Sequence, residues 1–256
     1  MPPTKQNLFI NAPYALVRSR LEKLLNLHVG VEVYFDAEAI RSVTSTEVRR
    51  LARELDDRSI ARTVHAPFMD LNPGAVDEDV WKITVDKLKK AIELANVLGA
   101  RTIVCHGNYD KWRYDGREDL WLERSVLTWA EVLKDAGDLP VLVENIFDGD
   151  PSALVSLMDH FSEKNLWICF DTGHFNLFST LPLDAWLVPL KKKIRELHIH
   201  DNYGKRDDHL PIGQGTFPFR ELKPFLRSLT GVLFTAETHN EDAAGDTIRC
   251  AKEFLS

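Results

Sequence analysis

The sequence predicts a single-domain (β/α)8 TIM barrel, and three observations predict it. Short runs rich in Val, Ile and Leu alternate with longer amphipathic stretches, as parallel strands covered on both faces should. The alternation recurs eight times. No glycine-rich phosphate turn follows the first run, which argues against an open doubly wound sheet. The 256 residues, 44% of them hydrophobic, suffice for one sizeable core, so no domain boundary is placed within residues 1–256.

In chain order the expected strands are Asn7–Asn11, Val29–Phe35, Ala61–Pro67, Arg101–His106, Pro140–Ile146, Asn165–Asp171, Ile194–Asp201 and Gly231–Glu237. Between and after them lie helical stretches. The clearest is Asp77–Leu98, where Val80, Ile83, Leu88, Ile92, Ala95 and Leu98 recur near a 3.6-residue period and Gly99 gives a stop. The others are Tyr14–Leu27, Ser45–Asp56, Glu118–Ala136, Pro151–Glu163, Leu183–Lys193, Phe219–Ser228 and Asp242–Leu255. Two loops exceed what connection needs, Gly107–Arg117 and Asn202–Pro218. Both follow strands, which puts them on the C-terminal face where barrel enzymes keep their sites.

The net charge of −7 disfavours a general attraction to nucleic acid or anionic membrane. No apolar run reaches the roughly 18 residues of a spanning helix, and the start, Met-Pro-Pro-Thr-Lys-Gln, does not read as a signal peptide. Cys105, Cys169 and Cys250 lack metal-finger or disulfide spacing, so a cytoplasmic location is expected and no cysteine is placed to select a metal.

Chemistry gathers at the strand ends. From the third run onward each one closes on, or next to, a metal-ligand type: His65, His106, Glu144, Asp171 with His174, His198 with His200, and Glu237. The long loop after the seventh run adds Asp207-Asp208-His209. Thr172 and Gly173 between Asp171 and His174 read as a sharp turn. Parallel strand ends converge on a barrel mouth, and burying so many carboxylates and imidazoles is costly unless cations compensate. The nitrogen and oxygen set suits Zn²⁺, with Mn²⁺ or Fe²⁺ as alternatives. Taken singly, His28 and His160 read as structural, His239 as a solvated loop residue, and Glu32 equally as a buried ion-pair partner or a substrate contact. Cys105 alternates with His106 and should face away from the mouth. His200, Tyr109, Lys111, Lys205 and Arg206 are candidate substrate contacts, the basic ones for an anionic small molecule; Arg113 adds charge to the same loops.

The chain resembles the xylose-isomerase-like barrel superfamily, which also holds endonuclease IV. The likeness runs from about His65 to Glu237 through His-Ala-Pro-Phe, the His-Gly at 106–107, Glu144, Phe-Asp-Thr-Gly-His, Leu-His-Ile-His-Asp-Asn, Asp-x-His with Gly-Gln-Gly, and the last Glu. The endonuclease-like pattern implies two or three ions. His65 and His106 would hold one and share Glu144 with a second, Asp171, His198 and Glu237 would complete the second, and His174, Asp207 and His209 would hold the third, with Asp208 a rival for Asp207. Asn is usual in endonuclease IV where His200 stands here, so the departure implies that His200 either competes as a ligand or contacts substrate. That pattern implies phosphoester hydrolysis, with Glu144 fixing the metals and Glu237 positioning hydroxide. The acidic chain points to a small phosphodiester rather than duplex DNA. His-Ala-Pro-Phe-Met-Asp-Leu-Asn-Pro-Gly is similar to the cobamide-remodelling phosphodiesterases, which open a corrinoid nucleotide loop. The alternative is a sugar or sugar-phosphate isomerase or epimerase holding one metal by Glu144, Asp171, His198 and Glu237, its two glutamates moving a proton beside a carbonyl.

Overall fold

The computed structural model describes residues 7–161 and 165–256. Parallel strands β1 (Leu8–Pro13), β2 (Gly30–Tyr34), β3 (Arg62–His65), β4 (Ile103–His106), β5 (Val141–Glu144), β6 (Leu166–Asp171), β7 (Ile194–Ile199) and β8 (Leu233–Ala236) pair in sequence order, and β8 closes on β1. Each of the eight expected runs contains one strand. The helices are α1 (Tyr14–Leu25), α2 (Ala37–Ser42), α3 (Ser45–Asp56), α4 (Glu78–Leu98), α5 (Glu118–Ala136), α6 (Ser152–His160), α7 (Thr172–Phe178), α8 (Leu183–Leu190), α9 (Phe219–Leu226) and α10 (Ala244–Leu255), the last preceded by a 3-10 turn at Glu241–Ala243. The end of the expected helix Pro151–Glu163, Ser162-Glu163, and the chain start, Met1 to Gln6, lie outside the described residues.

Two helices were not expected. Both are short and capped by an aspartate at a strand end: Asp36 accepts from the Ala39 N–H before α2, and Asp171 from the His174 N–H before α7. Thr172-Gly173 is therefore the first turn of a helix and not a sharp turn. The buried face of α4 also differs from its expected stripe. Val80 and Ile83 are exposed, and the inward face runs through Thr84, Val85, Leu88, Ala91, Ile92, Ala95 and Leu98. Near the start of α4 contact is made by Trp81 instead, whose indole N–H donates to Thr128 Oγ1 at 2.8 Å.

Strand alternation sorts the core into two. Outward-facing Ile103, Cys105, Val141, Val143, Ile168 and Phe170 pack under the helices against residues such as Leu51, Ile92, Trp129 and Trp186. Each such aliphatic burial contributes roughly 1.5–3 kcal/mol. Inward-facing Val104, Leu142 and Cys169 form a separate small cluster inside the barrel. The interior is otherwise polar. Glu32 accepts from Asn11 Nδ2 at 2.9 Å and Thr63 Oγ1 at 3.3 Å, while Glu196 accepts from Thr102 Oγ1 at 2.7 Å and Thr235 Oγ1 at 2.6 Å. Burial, and then the charge of Glu32, push the Glu196 carboxyl up to about 7.

Register brings distant residues of the mouth together: His106 pairs with Glu144 across β4 and β5, and Asp171 with His198 across β6 and β7. The loop after β7 is tied down by Asp201. Its carboxylate accepts the N–H groups of Asn202, Gly213, Gly215 and Phe217 at 2.9–3.1 Å, and its backbone exchanges two hydrogen bonds with Leu210. A side chain at Gly215 would overlap the Asn202 carbonyl and the Asp201 carboxylate, so the second glycine of Gly-Gln-Gly serves loop closure. We expect Asp201→Asn to cost about 2–3 kcal/mol, because an amide NH₂ would face N–H donors. Hydrogen exchange should then speed up at Gly213, Gly215 and Phe217 while α4 amides keep their protection; uniform loss of protection across the chain would contradict this clamp.

Candidate metal centre

Asp171 is the N-cap of α7 and His174 its third residue, which explains the Asp-x-x-His spacing. Asp171 Oδ1 accepts the His174 backbone N–H at 2.6 Å and lies 3.2 Å from its ring Nδ1. The Asp171 main chain is fixed by Asn145, whose side chain accepts from Asp171 N at 2.8 Å and donates to Asp171 O at 3.1 Å. Glu144, almost wholly buried, is the hub. Its Oε2 lies 3.3 Å from His65 Nε2, 3.7 Å from His106 Nε2 and 3.3 Å from His198 Nδ1, and its Oε1 lies 2.9 Å from His174 Nδ1. Glu237 Oε1 is 3.4 Å from His198 Nδ1. Asp207 Oδ2 stands 2.9 Å from His209 Nε2 and 3.4 Å from His174 Nε2.

Asp207, and not Asp208, therefore meets the imidazoles; Asp208 faces Arg206 at 3.8 Å. All nine residues expected as ligands thus converge on one place. Donor atoms of His65, His106 and Glu144 lie within 4.8 Å of one another, as do those of Glu144, Asp171 and His174, and those of His200, Asp207 and His209. His65 Nδ1 meets the Ala66 carbonyl at 2.8 Å, which fixes the ring and turns Nε2 inward.

The donor chemistry fits divalent cations. Five buried atoms here have no hydrogen-bond partner: His174 Nδ1, both ring nitrogens of His198, His200 Nδ1 and Asp207 Oδ1. Several sit within ion-pair distance of a carboxylate yet out of line for a hydrogen bond, as ligands gathered around a missing charge would be. Burial works against the charged forms of His174, His198 and His65, but neighbouring carboxylates hold all three above the ordinary histidine value, His174 and His198 well above. Burial drives His106 down to about 3, so its lone pair is free. Burial opposes ionisation of Glu144, yet His106, His198 and His174 keep it well below the usual carboxylate range.

The remaining candidates separate. Lys205, Arg206 and Arg113 line a cavity of about 690 Å³ above the centre, with His106, His174 and Asp207 on its wall. Lys111 and Tyr109 do not line it. Lys111 lies over the exposed Trp112 ring, and Tyr109 packs on Tyr114 and Trp121. His200 is fully buried against Asp171, within the ligand cluster rather than in the cavity. His239 is not simply solvated; its ring stacks on His209 at 3.8 Å. Glu32 takes the ion-pair reading, 3.3 Å from His198 Nε2 with both side chains fully buried.

Cys105 faces the helices, while Cys169, not singled out from the sequence, lies beside the centre. It is the register mate of Glu144 and faces inward with Asp171, and its sulfur joins Glu144 and His198 within 4.8 Å. Burial raises its thiol well above the usual value, which keeps it a poor ligand. Four residues went unmarked as contributors. Phe68 of His-Ala-Pro-Phe stacks on His106 at 4.3 Å, Asn145 clamps Asp171, Glu196 fills the barrel interior, and Asp201 holds the loop. Strand alternation alone would have marked Glu196, two residues before His198.

Fold and site together define a barrel with a nitrogen- and oxygen-rich centre, suited to metal, at the C-terminal ends of its strands. The chain belongs to the xylose isomerase-like TIM barrel family, whose sequence profile matches residues 29–255. It is 33% identical to an uncharacterised protein of Methanocaldococcus jannaschii over 217 residues, 79% of this chain and 73% of that one. Among solved structures, a D-tagatose 3-epimerase-like protein superposes with a TM-score of 0.83 at 27% identity, covering 98% of this chain and 97% of its own. Endonuclease IV of Thermus thermophilus superposes with a TM-score of 0.71 at 21% identity, covering 97% and 98%. A 3-keto-D-glucoside 4-epimerase of E. coli shares the fold as well, with a TM-score of 0.75 at 14% identity. No helix among the described residues is long and apolar enough to cross a membrane.

The raised histidines set a pH dependence. An imidazole whose pKa stands above its usual value holds its proton to higher pH, and metal takes only the unprotonated nitrogen. Metal uptake at pH 7 should therefore release protons, and apparent affinity should climb as pH rises past the ordinary histidine range. Titration calorimetry in buffers of different ionisation enthalpy checks this; heats independent of buffer would contradict it.

Proposed function

We propose that the chain is a metal-dependent phosphoester hydrolase with a multinuclear centre, acting on a small anionic phosphodiester. The surplus of donors carries this reading. A one-metal reaction needs four ligands, whereas His65, His106, His174, Asp207 and His209 crowd the same centre, with five buried donor atoms left unpartnered. The cations Arg113, Lys205 and Arg206 around the adjoining cavity support an anionic substrate.

His65, His106 and Glu144 would hold one ion, Glu144, Asp171, His198 and Glu237 a second, and His174, Asp207 and His209 a third. Bound metals supply a hydroxide at neutral pH and offset charge on the phosphoryl oxygens. The chain's own part is positional. Glu144 presents both oxygens between two groups of imidazoles and would be a ligand held in common by two ions. Glu237, at the mouth and only 7% exposed, is placed to accept a hydrogen bond from the attacking water. Lys205 and Arg113 bind and orient the phosphate, and the walls of Phe68 and Ile146 limit water.

A second reading, sugar or sugar-phosphate epimerisation on one metal, rests on the arrangement around His198. Its Nδ1 lies 3.3 Å from Glu144, 3.4 Å from Glu237 and 4.0 Å from Asp171. The D-tagatose 3-epimerase-like neighbour lends it support. Elemental analysis of the purified chain together with activity assays separates the two. The hydrolase reading expects two or three ions per chain, zinc first, and cleavage of bis(p-nitrophenyl) phosphate. Glu144→Gln should lower that cleavage by at least about 100-fold, the upper end of what outer-shell changes cost metal enzymes. One ion per chain, no phosphoester cleavage and turnover of a ketose would replace it with the epimerase. A cobamide offered as substrate tests the narrower corrinoid reading.

A further inference from the structure

We propose that His200 is itself a metal ligand, binding an outer ion through Nδ1 together with Asp207 and His209. Its imidazole is fully buried, and Nε2 meets Asp171 Oδ2 at 3.0 Å. A ring whose Nε2–H donates to a carboxylate exposes its lone pair at Nδ1, the carboxylate–histidine arrangement that orients metal ligands. That Nδ1 has no hydrogen-bond partner. The nearest carboxylate atom across from it is Asp207 Oδ1, 3.8 Å away, also buried and also without a partner. One donor atom each from His200, Asp207 and His209 lies within 4.8 Å of the other two.

Two further features are arranged for this grouping. A side chain at residue 173 would overlap the His200 ring, so the glycine of Asp-Thr-Gly-His makes the room that His200 occupies. His209 holds a left-handed backbone, φ 48°, a conformation uncommon outside glycine. That bend carries its ring to 4.0 Å from the His200 ring while its Nε2 meets Asp207. His174, 3.4 Å from Asp207 through Nε2, stands on the inner side of the same carboxylate. Asp207 then joins the ion to the rest of the centre.

The ligation holds for either reaction class, and the test separates it from the question of metal number. The full chain, labelled with ¹⁵N-histidine and loaded with ¹¹³Cd²⁺, should show scalar coupling between cadmium and His200 Nδ1. The coupling should vanish in His200→Asn, and that variant should bind one zinc ion more weakly by on the order of 10–100-fold in chelator competition. Several ions with none coupled to His200, and H200N keeping every ion at unchanged affinity while KM rises, would make His200 a substrate contact and overturn the inference, leaving the multinuclear centre intact. A single ion coupled to His200 would uphold the inference and overturn the multinuclear reading. If H200N fails to fold, the coupling in the unaltered chain still decides.

Discussion

The Asp171 carboxylate has two oxygens and both are committed within the protein. Oδ1 starts α7 by accepting the His174 N–H, and Oδ2 meets His200 at the end of β7. The Asn145 side chain locks its main chain from the end of β5. Three strand ends are thereby joined through one residue, and the angle at which α7 leaves the barrel is set by the group that the centre needs. The helix supplies His174, the strand register supplies His198, and Glu144 lies between them. Remove the cap and the histidine two residues beyond Thr172 loses its direction as well as its partner.

Such a concentration of buried charge survives because each sign is supplied close at hand. Burial alone would neutralise Glu144, Asp171 and Glu32, yet adjacent imidazoles keep all three carboxylates ionised. Deeper in the barrel Glu196 is bonded to threonine hydroxyls, and burial together with the charge of Glu32 pushes its carboxyl up to about 7. The barrel interior thus grades from a protonatable acid bonded to hydroxyls, through the Glu32–His198 contact, to the open mouth. Most apolar packing lies in the annulus between strands and helices, with the small Val104, Leu142 and Cys169 cluster inside the barrel.

Much of this was legible because chemistry and periodicity coincide. Apolar runs ending in His65, His106, Glu144, Asp171 and His198 mark strands and site at once. What stayed hidden depends on side-chain direction or on competition between nearby groups. Asp171-Thr172-Gly173-His174 has turn composition, and only the capping bond makes it helical. Asp207 and Asp208 are equivalent on paper; the backbone at His209 decides which faces inward. That Tyr109 packs on Trp121 and Lys111 lies over Trp112 likewise depends on side-chain direction. In α4, Val80 and Ile83 keep the period of the buried stripe and still face solvent.

The loop after β7 is anchored at both ends and loose between them. Asn202 is bound to Asn176 and Gly173, Asp207 to the imidazoles, and Tyr203 and Arg206 between them are exposed. The four residues Tyr203-Gly204-Lys205-Arg206 are exposed, and the Gly204 N–H donates to Asn202 Oδ1 at 2.8 Å. This short span borders the cavity above the centre, so new substrate preferences are accessible to drift there while the reactive groups beneath stay as they are. A barrel built this way separates what it recognises from what it does, and solved structures of the same fold include an endonuclease and an epimerase.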